Sequence, residues 1–381
     1  MRILQVIEFF TPKMGGSVQV AYQIARHLCR RGHEVTVWSS DFASGDFSFP
    51  DMPFRAVLFP SVMSRWGFHV TPTLVGWARR HLKEFDVVHM HNVRTFQNLV
   101  VGGFARRYGV PYVLSAHGSL PIIVQRKAAK RAYDLLFGRR LIAGASCLIA
   151  VSPVEVEQYA EAGIACERIV LVPNGLDLDE FSRLPPRGTF RRKLGIPDET
   201  RVMLFLGRLH WRKGINYLIE AFARLQTRLS HSLLLVAGPD DGELARLQAL
   251  TERLRLREQV WFIGPLYGEG KLAAYVDADV LASPAVHEIF GLVPFEALMC
   301  GTPVVVTDDC GSGQLIGEAQ AGYLVSYGDV EALTAALLWA LTNREEAMQM
   351  VKAGRTFIQQ WLDWNVVVIE LERLYSELLA R

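Results

Sequence analysis

The sequence predicts an α/β protein built from two doubly wound parallel-sheet domains that face each other across a cleft. Three observations carry that prediction. Short β-branched runs alternate with amphipathic stretches along all 381 residues, the pattern of parallel strands covered by helices on both faces. The alternation breaks between Asp177 and Asp198, around Pro185-Pro186-Arg187-Gly188, and a second series of the same kind then begins. The length fits two or three domains, and a composition of 50% hydrophobic and 21% charged residues lets each bury a core.

In chain order, the first series has candidate strands at Ile3–Ile7, Val35–Ser39, Ala56–Phe59, Val87–Met90, Tyr112–Ser115, Cys147–Val151 and Ile169–Val172. Helical periodicity fills the gaps, at Val18–Arg30, Thr73–Lys83, Phe96–Tyr108, Gln125–Ala143 and Val154–Ala162. The stretch Asp177–Asp198 reads as a linker. The second series has strands at Val202–Leu206, Ser232–Ala237, Val260–Ile263, Val280–Ser283, Val304–Thr307 and Tyr323–Val325, with a helix at Ile215–Leu229. A last helix runs from Trp361 to Leu379. The expected division is 1–180, 181–360 and a terminal helix, 361–381, and the cleft between the two domains is the default substrate site.

Composition excludes several function classes. The net charge of +2 gives no general affinity for nucleic acid. Cys29, Cys147, Cys166, Cys300 and Cys310 form neither CxxC nor a metal-ligand spacing, which fits free thiols in a reducing compartment. The apolar run at the N-terminus is short and broken by Gln5 and Glu8, a poor signal peptide. No stretch of eighteen apolar residues is present, so no membrane span is expected. Together these favour a cytoplasmic location.

The densest chemical signal is His287-Glu288-Ile289-Phe290-Gly291-Leu292-Val293-Pro294-Phe295-Glu296. Pro294 suits the first position of a helix, where its missing N–H costs nothing. Glu296 would then lie in the first turn and Glu288 on the entering loop. Gly291, Leu292 and Val293 would present N–H groups at a helix N-terminus, which binds anions. The carboxylates can accept hydrogen bonds from sugar hydroxyls. Two surface glutamates on a strand–loop–helix unit are the plainer alternative.

A second motif supports the functional reading. Gly207 ends the Val202–Leu206 strand, and Arg208 and Lys213 follow on a loop at its carboxyl end, where open α/β sheets bind ligands. A guanidinium fork and an ammonium point charge suit a diphosphate. Near the N-terminus, Pro12-Lys13-Met14-Gly15-Gly16 permits a tight turn, with Ser17 placed to begin a helix. It is not GxGxxG, so the usual dinucleotide fingerprint is missing. His117 follows a strand end and precedes Gly118-Ser119. His89 and His91 flank Met90 at another strand end, where core or supporting roles fit best. Asp240-Asp241 and Asp308-Asp309 are adjacent pairs and not the DxD that holds a metal.

These motifs resemble the retaining glycosyltransferases of family 4, which have the GT-B fold. Ala116-His117-Gly118, Pro173-Asn174-Gly175-Leu176-Asp177 and Gly301-Thr302-Pro303-Val304-Val305 add to the resemblance, which spans nearly the whole chain. It implies a hexosyltransferase that moves a sugar from a UDP- or GDP-linked donor to a glycan or lipid-linked acceptor, without metal or other cofactor. The acceptor would sit on the N-terminal domain and the donor on the C-terminal one. Glu296 would hold the ribose. Arg208, Lys213 and the N–H groups of Gly291–Val293 would hold the diphosphate. Glu288 and His117 would orient the sugar. Gly15, Gly16, Gly207, Ile263 and Phe290 complete the expected donor site. The terminal helix would cross back to the N-terminal domain. An epimerase or a glycogen-synthase-like polymerase of the same fold, and a non-catalytic nucleotide-sugar-binding subunit, are the alternatives. The last is opposed by the presence of both glutamates, Arg208 and Lys213.

Charge is also unevenly spread. Ser61–Arg140 holds thirteen Lys or Arg against three acids, a local +10, while the remainder carries −8. With Trp66, Phe68 and Trp77 nearby, and a cationic helix from Gln125 to Arg140, this suits peripheral contact with an anionic bilayer. A solvated face is the other reading. Nucleic acid is a third, opposed by the lack of any binding module.

Overall fold

The computed structural model describes residues 1–11, 15–43, 49, 51–65, 68–122 and 126–380. The chain divides into two compact units, Met1–Gly175 with Trp364–Arg381, and Leu176–Asp363. Each is organised around one parallel sheet.

The strands of the first unit are β1 (Arg2–Phe9), β2 (Glu34–Ser40), β3 (Arg55–Phe59), β4 (Met63–Arg65), β5 (Phe68–Val70), β6 (Val87–His91), β7 (Tyr112–Ser115), β8 (Cys147–Ala150) and β9 (Ile169–Leu171). Seven of them form a sheet in the order β3-β2-β1-β6-β7-β8-β9. The sequence pattern missed the small antiparallel hairpin β4–β5, because three-residue strands give no readable period. Apolar β1 side chains alternate between two cores. Ile3 and Ile7 face the helix Gly15–Arg30 and the terminal helix, and Leu4 and Val6 face the other layer.

That first helix starts at Gly15, two residues before the position expected from Ser17. Gly15 and Gly16 therefore lie within its first turn, exposed. Pro12, Lys13 and Met14, also read as part of this loop, lie outside the described residues. The terminal helix Trp364–Ala380 packs against the first helix through Trp364, Val367, Leu371 and Tyr375, all buried in the same core. It does not begin at Trp361. A π-turn, Ile358–Leu362, and extended Asp363 come before it.

The second unit has β10 (Arg201–Leu206), β11 (Ser232–Ala237), β12 (Val260–Gly264), β13 (Val280–Ser283), β14 (Val304–Thr307) and β15 (Tyr323–Val325), in the order β12-β11-β10-β13-β14-β15. In both sheets the winding reverses once, between β1 and β6 and between β10 and β13. These are the switch points at which connections leave opposite ways and open a crevice at the carboxyl ends.

The stretch read as a linker is ordered. It carries a helix, Thr189–Leu194, whose start is capped from afar. Buried Asp277 accepts from the N–H groups of Gly188 (2.5 Å), Phe190 (2.6 Å) and Arg191 (3.0 Å). Arg191 in turn donates to Asp279 at 2.8 Å. Replacing Asp277 with Ala leaves these donors unpaired and removes the cap, which should lower the unfolding free energy of the second unit by about 3 kcal/mol or more. Urea unfolding followed by circular dichroism measures this. An unchanged midpoint would show that the capped segment contributes nothing to stability.

Candidate functional site

In the second unit, chemistry gathers at the β10/β13 switch point. Gly207 ends β10, and the loop after it runs through Arg208 and Lys213 to Gly214. Gly214 is left-handed (φ 64°), and a Cβ there would lie 2.0 Å from the Pro284 carbonyl oxygen. Only glycine lets the loop after β10 lie flat against the loop after β13. The Arg212 carbonyl accepts from the Val286 N–H at 2.8 Å, which ties the same two loops together. Lys213 Nζ then meets Glu288 in a half-buried ion pair. The motifs after β10 and β13, apart by 75 residues in sequence, converge on one contact.

Arg208 points elsewhere. Its side chain, 65% exposed, pairs with Asp241 at 2.5 Å. The Asp240-Asp241 pair is thus divided. Asp240 caps the turn after it, accepting from the N–H groups of Gly242, Glu243 and Leu244, and those bonds lower its pKa. Among the described residues, no group of three or more His, Cys, Asp or Glu side chains could hold a metal ion.

The glutamate-bearing helix spans Leu292–Cys300, with Gly291 at its N-cap in the left-handed region (φ 74°). The cap lets the helix start earlier than Pro294 suggested. Pro294 is its third residue, which is tolerated because N–H groups of the first turn have no intrahelical acceptor. Glu296 accordingly falls beyond the first turn, a correction to the expected register. It is held by Lys271 (3.0 Å) and by Tyr275 Oη (2.8 Å). Burial alone would lower the Lys271 pKa, but the Glu296 charge and hydrogen bond outweigh it and raise the pKa. Burial and then Glu296 push the Cys300 thiol up to about 12. Each Glu296 oxygen has one partner and keeps further acceptor capacity. His287 before Glu288 has φ 54°, a strained conformation worth on the order of 1–3 kcal/mol that clusters at functional loops.

Two expected donor residues are placed differently. The Phe290 side chain is buried against Phe295, with ring centroids 5.6 Å apart, so only its backbone is available. Ile263 sits on the outer strand β12, two strands from β10.

In the first unit, His117 lies on a turn after β7 with φ 50°, followed by Gly118 at φ 74°. Buried Glu155 holds this turn, accepting from the Gly118 N–H at 2.6 Å and the Val151 N–H at 2.9 Å. His117 Nε2 contacts His91 Nδ1 at 2.9 Å. Glu8, at the end of β1, has its carboxyl pushed up to about 7 by burial, against an opposing hydrogen bond from Asn92. Glu8, Gln5, Lys271 and Tyr275 join these two clusters without having been expected there from the sequence. For Gln5 and Glu8 a signal existed: polar residues interrupting a run otherwise read as buried strand.

Residues 14–180 match the family model described as Glycosyltransferase Family 4, and residues 186–357 that of Glycosyl transferases group 1. A phosphatidyl-myo-inositol mannosyltransferase from Mycobacterium leprae is 30% identical over 389 residues, covering 99% of this chain and 96% of that protein. The chain belongs to glycosyltransferase family 4. A D-inositol 3-phosphate glycosyltransferase from Corynebacterium jeikeium is 31% identical over 81% of this chain and 76% of its own. Among solved structures, Anabaena HepE in complex with UDP aligns with a TM-score of 0.81 at 19% identity, over 99% of this chain and 100% of that one. The two-sheet architecture is therefore the GT-B fold, and the protein is a retaining glycosyltransferase.

Proposed function

We propose that this glycosyltransferase transfers a hexose from a nucleotide diphosphate sugar, UDP- or GDP-linked, to a lipid-linked or membrane-associated glycan acceptor, without a metal. The observation that carries the donor reading is the convergence of Lys213 and Glu288 at the β10/β13 switch point, beside the start of the helix Leu292–Cys300. Lys213, Arg208 and the N–H groups of Gly291–Val293 would neutralise the diphosphate. The Arg208–Asp241 pair is exposed, and such pairs are worth about 0–1 kcal/mol, so Arg208 can exchange Asp241 for a phosphate at little cost. Glu296, oriented by Lys271 and Tyr275, would accept from the ribose hydroxyls. Glu288 and His117 would orient the transferred sugar. In front-face attack the leaving phosphate takes the acceptor proton, so no residue need act as covalent nucleophile.

The division between the glutamates is testable by calorimetry. Glu296→Gln should weaken binding of the free nucleoside diphosphate itself. Glu288→Gln should spare that affinity and lose sugar-dependent affinity and turnover. Equal loss of nucleotide affinity in both variants would refute the assignment.

Charge on the leaving group is the second test. Activity should survive excess EDTA, while Arg208→Ala and Lys213→Ala should each lower kcat/KM by roughly 10²-fold or more. Inactivation by EDTA that magnesium or manganese reverses would overturn the metal-free reading.

The acceptor class rests on the basic face. No helix among the described residues is long and apolar enough to cross a membrane, so bilayer contact would be peripheral. Lys127–Tyr133, a π-turn at Asp134–Gly138 and Arg139–Gly144 form one helical stretch. Leu135, Leu136 and Phe137 are 66%, 60% and 40% exposed on it, between exposed Lys127 and Arg131 on one side and Arg139 and Arg140 on the other. Exposed apolar side chains among cations fit the interface of an anionic bilayer. The M. leprae relative is named for a phosphatidyl-inositol, which supports a lipid acceptor. Binding to anionic liposomes should be appreciable at low salt and fall steeply towards about 0.5 M. Reversing Arg126, Lys127, Lys130 and Arg131 to Glu should weaken it and leave donor binding intact. Indifference to such liposomes, with efficient use of a small soluble acceptor, would refute the membrane reading.

A further inference from the structure

At the β1/β6 switch point of the first unit, polar side chains form a continuous chain inside the core. Gln5, His89 and His91 are fully buried. His91 Nδ1 lies 2.9 Å from His117 Nε2, with the rings stacked 5.2 Å apart and 8° from parallel. His91 Nε2 lies 2.9 Å from the Gln5 amide. His91 also stacks on His89, with ring centroids 4.3 Å apart. His89 is itself held between Tyr375 Oη (2.6 Å) and Ser115 Oγ (2.8 Å). Burial pushes all three imidazoles below the ordinary range, His89 to about 3 and His117 to about 4. At neutral pH each ring therefore carries one N–H, and the tautomer is its remaining freedom.

Two proton arrangements satisfy the His91 contacts. If the Gln5 oxygen accepts from His91 Nε2–H, His91 Nδ1 becomes an acceptor, His117 is protonated on Nε2, and its Nδ1 is a bare lone pair. If the Gln5 nitrogen donates to His91 Nε2, every proton in the chain moves over. The rest of the amide decides between them. With its nitrogen towards His91, Gln5 also donates to the Ala21 carbonyl at 3.1 Å and accepts from the Ala25 N–H at 3.1 Å. The reverse orientation faces acceptor with acceptor and donor with donor, which burial penalises. The backbone of the first helix thus selects the orientation of Gln5, Gln5 selects the tautomer of His91, and His91 selects that of His117.

We propose that Gln5 and His91 are positioning residues that fix His117 as the Nδ1–H tautomer, so that it offers the bound sugar a neutral hydrogen-bond donor. His117 Nδ1 has no partner among the described residues. The proposal rests on the reading that His117 meets the transferred sugar. A bare lone pair at Nδ1 could only accept, whereas Nδ1–H can donate to a sugar oxygen whose charge changes as the glycosidic bond breaks.

Long-range ¹⁵N–¹H correlation spectra of the full chain at neutral pH, with ring-labelled histidine, read the tautomer directly. The expected His117 signature is a protonated Nδ1 and an unprotonated Nε2. Gln5→Leu and His91→Leu should lose it, whereas His91→Asn, whose amide can donate from near the Nδ1 position, should keep it. In kinetics, His91→Leu should lower kcat by roughly tenfold or more with donor KM within about twofold, as for loss of a directed bond made in the transition state. His91→Asn should recover most of the loss. A wild-type His117 protonated on Nε2 overturns the proposal whatever the activities, and this measurement stands even where His91→Leu fails to fold. Loss of turnover in His117→Ala together with full turnover in folded His91→Leu also overturns it, and leaves the sugar contact standing. Full turnover in His117→Ala instead refutes the sugar contact, while the spectra still decide the tautomer.

Discussion

A parallel sheet wound in both directions leaves one crevice that its own connections cannot fill, and everything of chemical interest in this protein hangs on two such crevices. At β10/β13 the connections depart to opposite faces, so the loops carrying Lys213 and Glu288 are free to meet. At β1/β6 the same reversal brings together the carboxyl ends of the strands bearing Glu8 and His91, with His117 on the turn that follows β7. The sites follow from topology before any particular side chain is chosen, and the side chains then specify the chemistry.

The two crevices handle charge in opposite ways. In the second unit the ionisable groups are paired within the chain: Arg208 with Asp241, Lys213 with Glu288, Lys271 with Glu296. The pairs differ in exposure and therefore in how firmly they hold. The outermost is nearly free to exchange partners, while Lys271–Glu296, with side chains 19% and 16% exposed, is fixed by Tyr275 as well. Under the proposed donor reading, this gradient would supply exchangeable cations for the diphosphate and a fixed acceptor for the ribose. In the first unit burial strips charge away. Three stacked imidazoles are neutral, and what they contribute is the direction of their N–H bonds.

Much of this was legible in the sequence, and the part that was not has a common cause. All the strands of the two large sheets were readable as short apolar or β-branched runs, continuous where the strand is fully buried, as in β8, β11 and β14. The places of Glu288, Arg208 and Lys213 on loops after β13 and β10 were readable because each lies in a local motif with glycine or proline fixing the backbone. Partners that come from a distant part of the chain were not. Nothing in the sequence pairs Asp277 with the helix at 189–194, Lys271 and Tyr275 with Glu296, or Gln5 with His91. Even within the best motif the register slipped, because Pro294 is tolerated anywhere in a helix's first turn, and only the left-handed φ of Gly291 decides where that turn starts.

Gln5 shows how much such long-range contacts can determine. In the sequence it is only a flaw in an apolar run. In the fold it is a buried amide with a helix backbone on one side and a histidine on the other. An amide can donate and accept at once, and its surroundings decide which end does which. An apolar residue there would leave His91 Nε2 and two helix backbone groups without that partner, and a charged residue would bring a net charge into a core where the imidazoles are held neutral. A polar group in the centre of a buried strand is therefore not a defect of the core. It is the point at which the packing of the first helix reaches the ring nitrogens of His117.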